Sequence, residues 1–219
     1  MLHPASLTFL KSLQKNNNRT WFEKNREKYE TAREDFANFI NGLIAEIAKH
    51  HPEVKGLEAK NCMFRIYRDI RFSKDKTPYK THFSAQVGVE GRKSEMADFY
   101  IQIGPGNSFI AGGKWHPETA ALKDIRQEIF YNTADFKKIL SEKSFKKHFK
   151  TLSDIKLKTV PKGYDKNFPD IELLKYTSYI VEAPIADKLL LSRSLVKHAA
   201  AIHKAMLPLL NFLNAAAHH

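Results

Sequence analysis

The chain has 219 residues, of which 42% are hydrophobic and 11% aromatic, a composition that suits one sizeable core and excludes a disordered chain. No run of about 18 apolar residues occurs, so no transmembrane helix is expected, and the single cysteine, Cys62, excludes a disulfide framework. The formal net charge of +12 favours an anionic partner such as nucleic acid, a nucleotide or a phosphorylated small molecule.

The N-terminal part of the chain indicates two helices. Leu7, Leu10 and Leu13 recur every three residues in a helix predicted over residues 4–15. The same stretch lacks the basic region and apolar run of a signal peptide, which together with the cysteine count favours the cytoplasm. Thr20 and Glu23 then have the spacing of a capping box. The apolar stripe that follows predicts one helix from there to about residue 49.

From residue 61 the apolar period changes to two, which predicts strands. In the first of them Cys62 would share a buried face with Phe64 and Ile66, as a core residue and not as a nucleophile. Further strands are predicted over residues 83–89, 98–103 and 108–113. The tetrapeptide 104–107, Gly-Pro-Gly-Asn, has the residues of a type II turn, so the last two strands should form a hairpin. The links between strands are too short for helical crossovers, which predicts a largely antiparallel sheet.

The second half of the chain is predicted to be mainly helical. Pro117 suits the first turn of a helix to about Tyr131, and shorter helices are predicted over residues 134–141 and 143–150. An irregular stretch over 153–169 and a strand over 176–182 follow. Pro184 is predicted to open the last helical region, and Pro208 to kink or divide it. We therefore expect one α+β domain over residues 1–219, with a largely antiparallel sheet packed with N- and C-terminal helices.

The segment from residue 65 to residue 82 is the strongest candidate for a binding site. A strand enters it, another leaves it, and residues 73–78 between them are of turn-forming types. Arginine offers a planar fork that matches phosphate or carboxylate, and lysine a mobile point charge. The predicted anion-binding cations are Arg65, Arg68, Arg71, Lys74, Lys76 and Lys80. The candidates for proton transfer, which needs a titratable group within hydrogen-bond reach, are Asp69, Asp75, Tyr79 and His82.

This segment, read from Phe64 to His82 as FRIYRDIRFSKDKTPYKTH, resembles the signature of the domain-of-unknown-function 2461 family. The sequence GGKWHP at residues 112–117 and the Ile-Arg pair at 125–126 are similar to that family's second and third motifs, and the Phe-Leu and Trp-Phe pairs at 9–10 and 21–22 fit its N-terminal helices. The resemblance implies an α+β domain of about this size. The family has no established activity, so the resemblance implies motif positions and no catalytic roles.

The second motif suggests an addition to the same site. Gly112 and Gly113 precede a predicted helix, where bare amides and the helix dipole favour an anion. If this turn lies beside residues 65–82, then Lys114, His116 and Arg126 would join the pocket. The alternative is that the two glycines serve a bulge or close packing at a strand end.

Two other interpretations remain open. In the first, the chain is a non-catalytic nucleic-acid-binding protein that uses a broad basic face. This face would contain Lys137, Lys138, Lys143, Lys146, Lys147 and Lys150. The basic segment would be purely structural if its cations paired with carboxylates. The residues indicate no particular cofactor, and no metal site is expected because no recognised ligand spacing occurs.

Overall fold

The computed structural model describes residues 1–216, which leaves the C-terminal histidine pair outside the description. The chain is 50% helix and 14% strand, with helices at both ends and one four-stranded antiparallel sheet, so the predicted α+β class is confirmed. No helix in the described part is long and apolar enough to cross a membrane. The helices are α1 (Pro4–Lys15), α2 (Arg19–Lys24), α3 (Arg26–Ile47), α4 (Ala59–Cys62), α5 (Thr119–Tyr131), α6 (Thr133–Ser141), α7 (Lys143–His148), α8 (Ile171–Leu174), α9 (Asp187–Leu190) and α10 (Leu195–Ala215).

The sheet has the strand order β1 (Phe83–Val87), β2 (Asp98–Ile103), β3 (Ser108–Lys114) and β4 (Tyr179–Ile185). The predicted hairpin is β2–β3, and its turn places Gly106 at φ 71°, as the third position of a type II turn requires. Pro184 was expected to open a helix but lies in β4. This is possible because β4 is an edge strand, where a residue without an amide hydrogen need not interrupt the pairing.

The chain forms two compact units, and the first comprises Met1–Ser94, Tyr100–Ile110 and Pro184–Ala201. Its core contains Leu10, Phe22, Phe36 and Leu43, none of them exposed. The single helix expected over residues 20–49 is wrong, because the backbone breaks at Asn25 between α2 and α3. The expected capping box is wrong as well.

The residue that caps α2 is Asn18. It has an extended backbone, and its side chain accepts a hydrogen bond from the Trp21 amide at 2.9 Å. This places the start of the helix one residue before Thr20, which was expected to cap it.

The predicted strand over residues 61–67 is also replaced. Residues 59–62 form the helical turn α4, and Asn41 of α3 accepts a hydrogen bond from the Ala59 amide at 2.8 Å. Cys62 ends this turn fully buried, as a core residue. Extended pairing follows only as two isolated bridges, from Met63 to Ala85 and from Tyr67 to Tyr79.

The second unit comprises Glu95–Phe99, Ala111–Ala183 and the chain from Ile202 on. It contains the predicted helices α5, α6 and α7 and the predicted irregular stretch over residues 153–169. Pro208 was predicted to kink or divide the last helix, and the division is wrong because α10 continues through Pro208. Met206, Leu209 and Leu213 are buried on both sides of the proline, and this burial offsets its cost of about 3 kcal/mol. That the two units act as one domain over residues 1–219 stays a prediction.

Candidate anion-binding site

The basic segment is an antiparallel strand–turn–strand element inside the first unit. Its two arms are joined by hydrogen bonds from the Lys80 amide to the Ile66 carbonyl at 2.7 Å and from the Arg68 amide to the Pro78 carbonyl at 2.9 Å. Five residues separate Tyr79 from Ala85, but only three separate Met63 from Tyr67, although the ends of the two stretches are paired. The second arm therefore carries two extra residues, a bulge that includes Thr81 and His82.

Arg68 holds the turn of this element in shape. Its side chain is only 25% exposed, and its guanidinium reaches the Asp75 carboxylate, the Thr77 hydroxyl and carbonyl, and the Ser73 hydroxyl. Asp75 also accepts a hydrogen bond from the Thr77 amide at 2.9 Å. The pKa of Asp75 is lowered, first by the Thr77 amide and hydroxyl and then by Arg68. Arg68 and Asp75 thus stabilise the turn from within.

Two further cations of the segment are engaged locally. Arg71 donates to both oxygens of Asp69, at 3.0 and 2.6 Å, in a fork geometry. The hydrogen bonds from Arg71 lower the pKa of Asp69. Lys76 donates to the Ile70 carbonyl at 3.0 Å. Because both carboxylates are held in the ionised form, neither is prepared to act as a general acid, and a proton-transfer role for Asp69 or Asp75 stays a prediction.

The three remaining cations, Arg65, Lys74 and Lys80, form no ion pair within residues 1–216. Lys80 is half-buried, with its ammonium 5.5 Å from the centre of the Phe64 ring. Its pKa is lowered by burial and by the charge of Arg65. Two like charges therefore lie close enough to affect each other, and neither has a paired carboxylate.

His82 lies beside these cations. Its pKa is lowered to about 4, mainly by burial and also by the charge of Lys80, so the imidazole is neutral at pH 7. The bulge that carries it packs against the β2–β3 turn: a Cβ at Gly104 would lie 3.0 Å from the Cβ of His82. A glycine at position 104 therefore allows His82 to approach the turn.

A cavity of 360 Å³ lies between the element and α2. Its walls combine the two arms with one face of α2, and its lining consists of Arg19, Glu23, Tyr67, Arg68, Ile70, Pro78 and Tyr79. Phe22 stacks on Tyr79 with ring centres 3.9 Å apart and planes 11° apart, and Tyr67 contacts Tyr79 at 5.3 Å. Burial raises the pKa of the Tyr79 hydroxyl, so at neutral pH the hydroxyl is protonated.

Asn17 fixes this wall from the chain segment before α2. Its side-chain amide donates to the Tyr79 carbonyl at 2.8 Å, and its side-chain oxygen accepts from the Tyr79 amide at 3.1 Å. Sequence reasoning missed Asn17, Arg19 and Glu23 as site residues, because it assigned Glu23 to a capping box and gave no binding role to Asn17 and Arg19 between the two predicted helices. No local pattern indicates a contact between residues that are 62 positions apart.

The residues predicted from the second motif lie in the second unit. A Cβ at Gly112 would overlap the Met206 sulfur, and one at Gly113, which has φ 124°, would overlap the Tyr179 carbonyl. Both glycines lie within β3, so close packing accounts for them, and the α5 helix begins only at Thr119. Anion binding by their amides stays a prediction.

The side chains around these glycines have mixed roles. The His116 backbone has φ 41°, and its amide donates to the Ser178 hydroxyl at 3.0 Å. Arg126 donates to the carbonyls of Leu174 and Tyr176 at 2.7 and 3.0 Å. Two of its guanidinium nitrogens are therefore engaged by the backbone. Lys114 is half-exposed and forms no ion pair in the described part of the chain. That these three residues contribute to the same site as residues 65–82 stays a prediction.

Comparison with known proteins gives one match. A family described as conserved hypothetical protein (DUF2461) matches residues 5–212, which covers both the strand–turn–strand element and the glycine motif. The chain therefore belongs to this family, and the resemblance seen in the sequence is confirmed. No curated protein and no solved structure matches.

Proposed function

We propose that this member of the DUF2461 family binds a phosphorylated or otherwise anionic ligand, such as a nucleotide or the end of a nucleic acid, at the strand–turn–strand element of residues 65–82. The observation that carries the proposal is the half-buried ammonium of Lys80, which lies 5.5 Å from the centre of the Phe64 ring and forms no ion pair in the described residues, while the charge of Arg65 adds to the effect of burial in lowering its pKa. Like charges held together destabilise each other, and burial of an ammonium adds a desolvation cost. A bound anion would relieve both, which is why such arrangements are typical of anion sites.

The cations of the element fall into two groups: those that contact other groups of the protein and those that have no ion pair. Arg68 shapes the turn, and Arg71 and Lys76 are engaged by local contacts with Asp69 and the Ile70 carbonyl. Arg65, Lys74 and Lys80 remain for the ligand. His82 is neutral at pH 7 and would meet an incoming phosphate through a hydrogen bond; a dianion beside it would then raise its pKa.

The test measures how much pyrophosphate and nucleotides raise the melting temperature of the variants Arg65→Ala and Lys80→Met. Methionine keeps much of the lysine stem over the Phe64 ring, so the change removes mainly the charge. A charge-assisted hydrogen bond contributes about 1.5–3 kcal/mol, so each variant should bind about tenfold or more weakly. Lys15→Met, at the exposed end of α1, is the control. Stabilisation that is unchanged in folded Arg65→Ala and Lys80→Met would refute the proposal.

A second candidate function is non-specific nucleic-acid binding by the basic face of α6 and α7. All six of its lysines are exposed, and only Lys137 forms an ion pair in the described part, with Asp170 at 2.7 Å. Binding by such a face should weaken steeply with salt and depend little on sequence. A filter-binding assay at two salt concentrations, with Lys143, Lys146 and Lys147 changed together to glutamine, tests it. A flat salt dependence excludes this function.

A further inference from the structure

We infer that the cavity beside α2 holds the planar ring of a guanine-type base, with Glu23 and Arg19 reading its edge. The inference rests on the proposed function for the phosphate end of the ligand and adds the identity of the other end. At 360 Å³ the cavity falls within the size range of small-ligand sites, roughly 300–1,000 Å³. Apart from its charged groups it is lined by two tyrosine rings, Ile70 and Pro78, a surface suited to a flat ring.

The aromatic wall is rigid enough to select a planar group. Tyr79 is buried, with Phe22 stacked on its ring and Asn17 holding its backbone. Tyr67 contacts the same ring but is 39% exposed, so part of its surface remains for a ligand. Stacking on such side chains contributes about 1–3 kcal/mol per base, and it distinguishes a flat ring from an aliphatic group.

Besides Arg68, which is engaged by the turn, the charged groups of the cavity are one donor and one acceptor. Arg19 and Glu23 lie one helical turn apart, and so on the same face of α2. Arg26 donates to both oxygens of Glu23 at 3.2 Å in an exposed pair, and the carboxylate remains able to accept further hydrogen bonds. Arg19 forms no ion pair in the described part of the chain. One carboxylate and one guanidinium without an ion pair therefore line the same cavity.

This pair matches the edge of guanine better than that of the other bases. Guanine carries neighbouring N–H donors at N1 and N2, which suit a carboxylate, and acceptors at O6 and N7, which suit an arginine fork. Adenine lacks the N1 donor, and cytosine offers a single amino group. Hypoxanthine lacks only the 2-amino group of guanine, so it isolates one of the two bonds to Glu23.

Calorimetric titration of the full chain with guanosine, GMP, IMP, AMP and CMP tests the inference. GMP should bind about tenfold more tightly than AMP and CMP, because a base without the matching edge leaves the carboxylate and the guanidinium unpaired. IMP should fall between them. Equal affinity for GMP, AMP and CMP would overturn the base assignment while leaving the anion site in place.

Two variants test whether Glu23 and Arg19 cause the preference for GMP over AMP. Glu23→Gln keeps the size and the contact with Arg26 but removes a charged acceptor, so the preference for GMP over AMP should fall to about twofold or less. Arg19→Gln should weaken the preference independently. Glu34→Gln, an equivalent change at an exposed position of α3, should behave as the unmodified chain. A preference that is unchanged in both Glu23→Gln and Arg19→Gln overturns the inference.

The same titrations separate this inference from the proposed function. Guanosine that binds as tightly as GMP, with no effect of Lys80→Met on either, would refute the phosphate site and support the base pocket. Loss of GMP binding in Lys80→Met together with no base preference would do the reverse. The absence of binding by guanosine and by all four nucleotides would overturn both.

Discussion

Replacing Arg68 by alanine tests whether this side chain holds the turn of the basic segment. The guanidinium is largely buried and makes three hydrogen bonds to uncharged partners, the hydroxyl and carbonyl of Thr77 and the hydroxyl of Ser73. Each contributes about 0.5–1.5 kcal/mol net, so the variant should lose about 2 kcal/mol of unfolding free energy; the contact with the exposed Asp75 adds little. For a chain of this length that loss lowers the melting temperature by about 4–8 °C.

The matched control is Arg71→Ala, three positions further along the chain from Arg68→Ala. Arg71 also pairs with an aspartate, but its side chain is 77% exposed, so its removal should leave the melting temperature unchanged. Differential scanning calorimetry of the two variants and the unmodified chain measures the contrast. Equal melting temperatures for Arg68→Ala and Arg71→Ala would show that the turn does not depend on the buried fork.

Two other predictions concern backbone space and protonation. Gly113→Ala should destabilise the fold strongly because a methyl group would overlap the Tyr179 carbonyl, whereas Gly163→Ala, at φ 95° in open space, should cost about 1–2 kcal/mol; denaturant melts compare them. The pKa of His82 is about 4, against 6.5 for a free imidazole, so stability is present above pH 6.5 and is lost as the pH falls towards 4. His82→Gln should reduce this loss in melting temperature, and proton NMR of the unmodified chain should show the imidazole titrating near pH 4.

Elements determined by neighbouring residues could be predicted from the sequence. The β2–β3 hairpin depends on a Pro-Gly pair that suits one turn type, and α1 on a regular apolar spacing, so both lie where they were expected. The break between α2 and α3 was missed because Asn25 interrupts no apolar stripe. The helical turn at residues 59–62 was missed because Asn41, far away in sequence, holds its first amide.

The candidate site, too, was predicted only where neighbouring residues determine it. The charged and turn-forming residues of the basic segment predicted the element, but they did not indicate which cations would contact other groups of the protein. Arg68 and Arg71 are the same residue type in the same segment, yet one is buried in the turn and the other is mostly in water. Burial of this kind depends on how the two arms fold together. The cavity was beyond prediction because α2 supplies one of its walls.

The contact between Asn17 and Tyr79 has a consequence for how the molecule meets other chains. In the Tyr67–Tyr79 bridge the neighbouring residues exchange the hydrogen bonds, so the amide and carbonyl of Tyr79 point outward from the pair. An open strand edge of this kind is a place where a second chain can add a strand and begin to aggregate. The carboxamide of Asn17 has the same donor and acceptor as a peptide group and satisfies both. One side chain thus closes the edge to other copies at Tyr79, the residue that also lines the cavity beside α2.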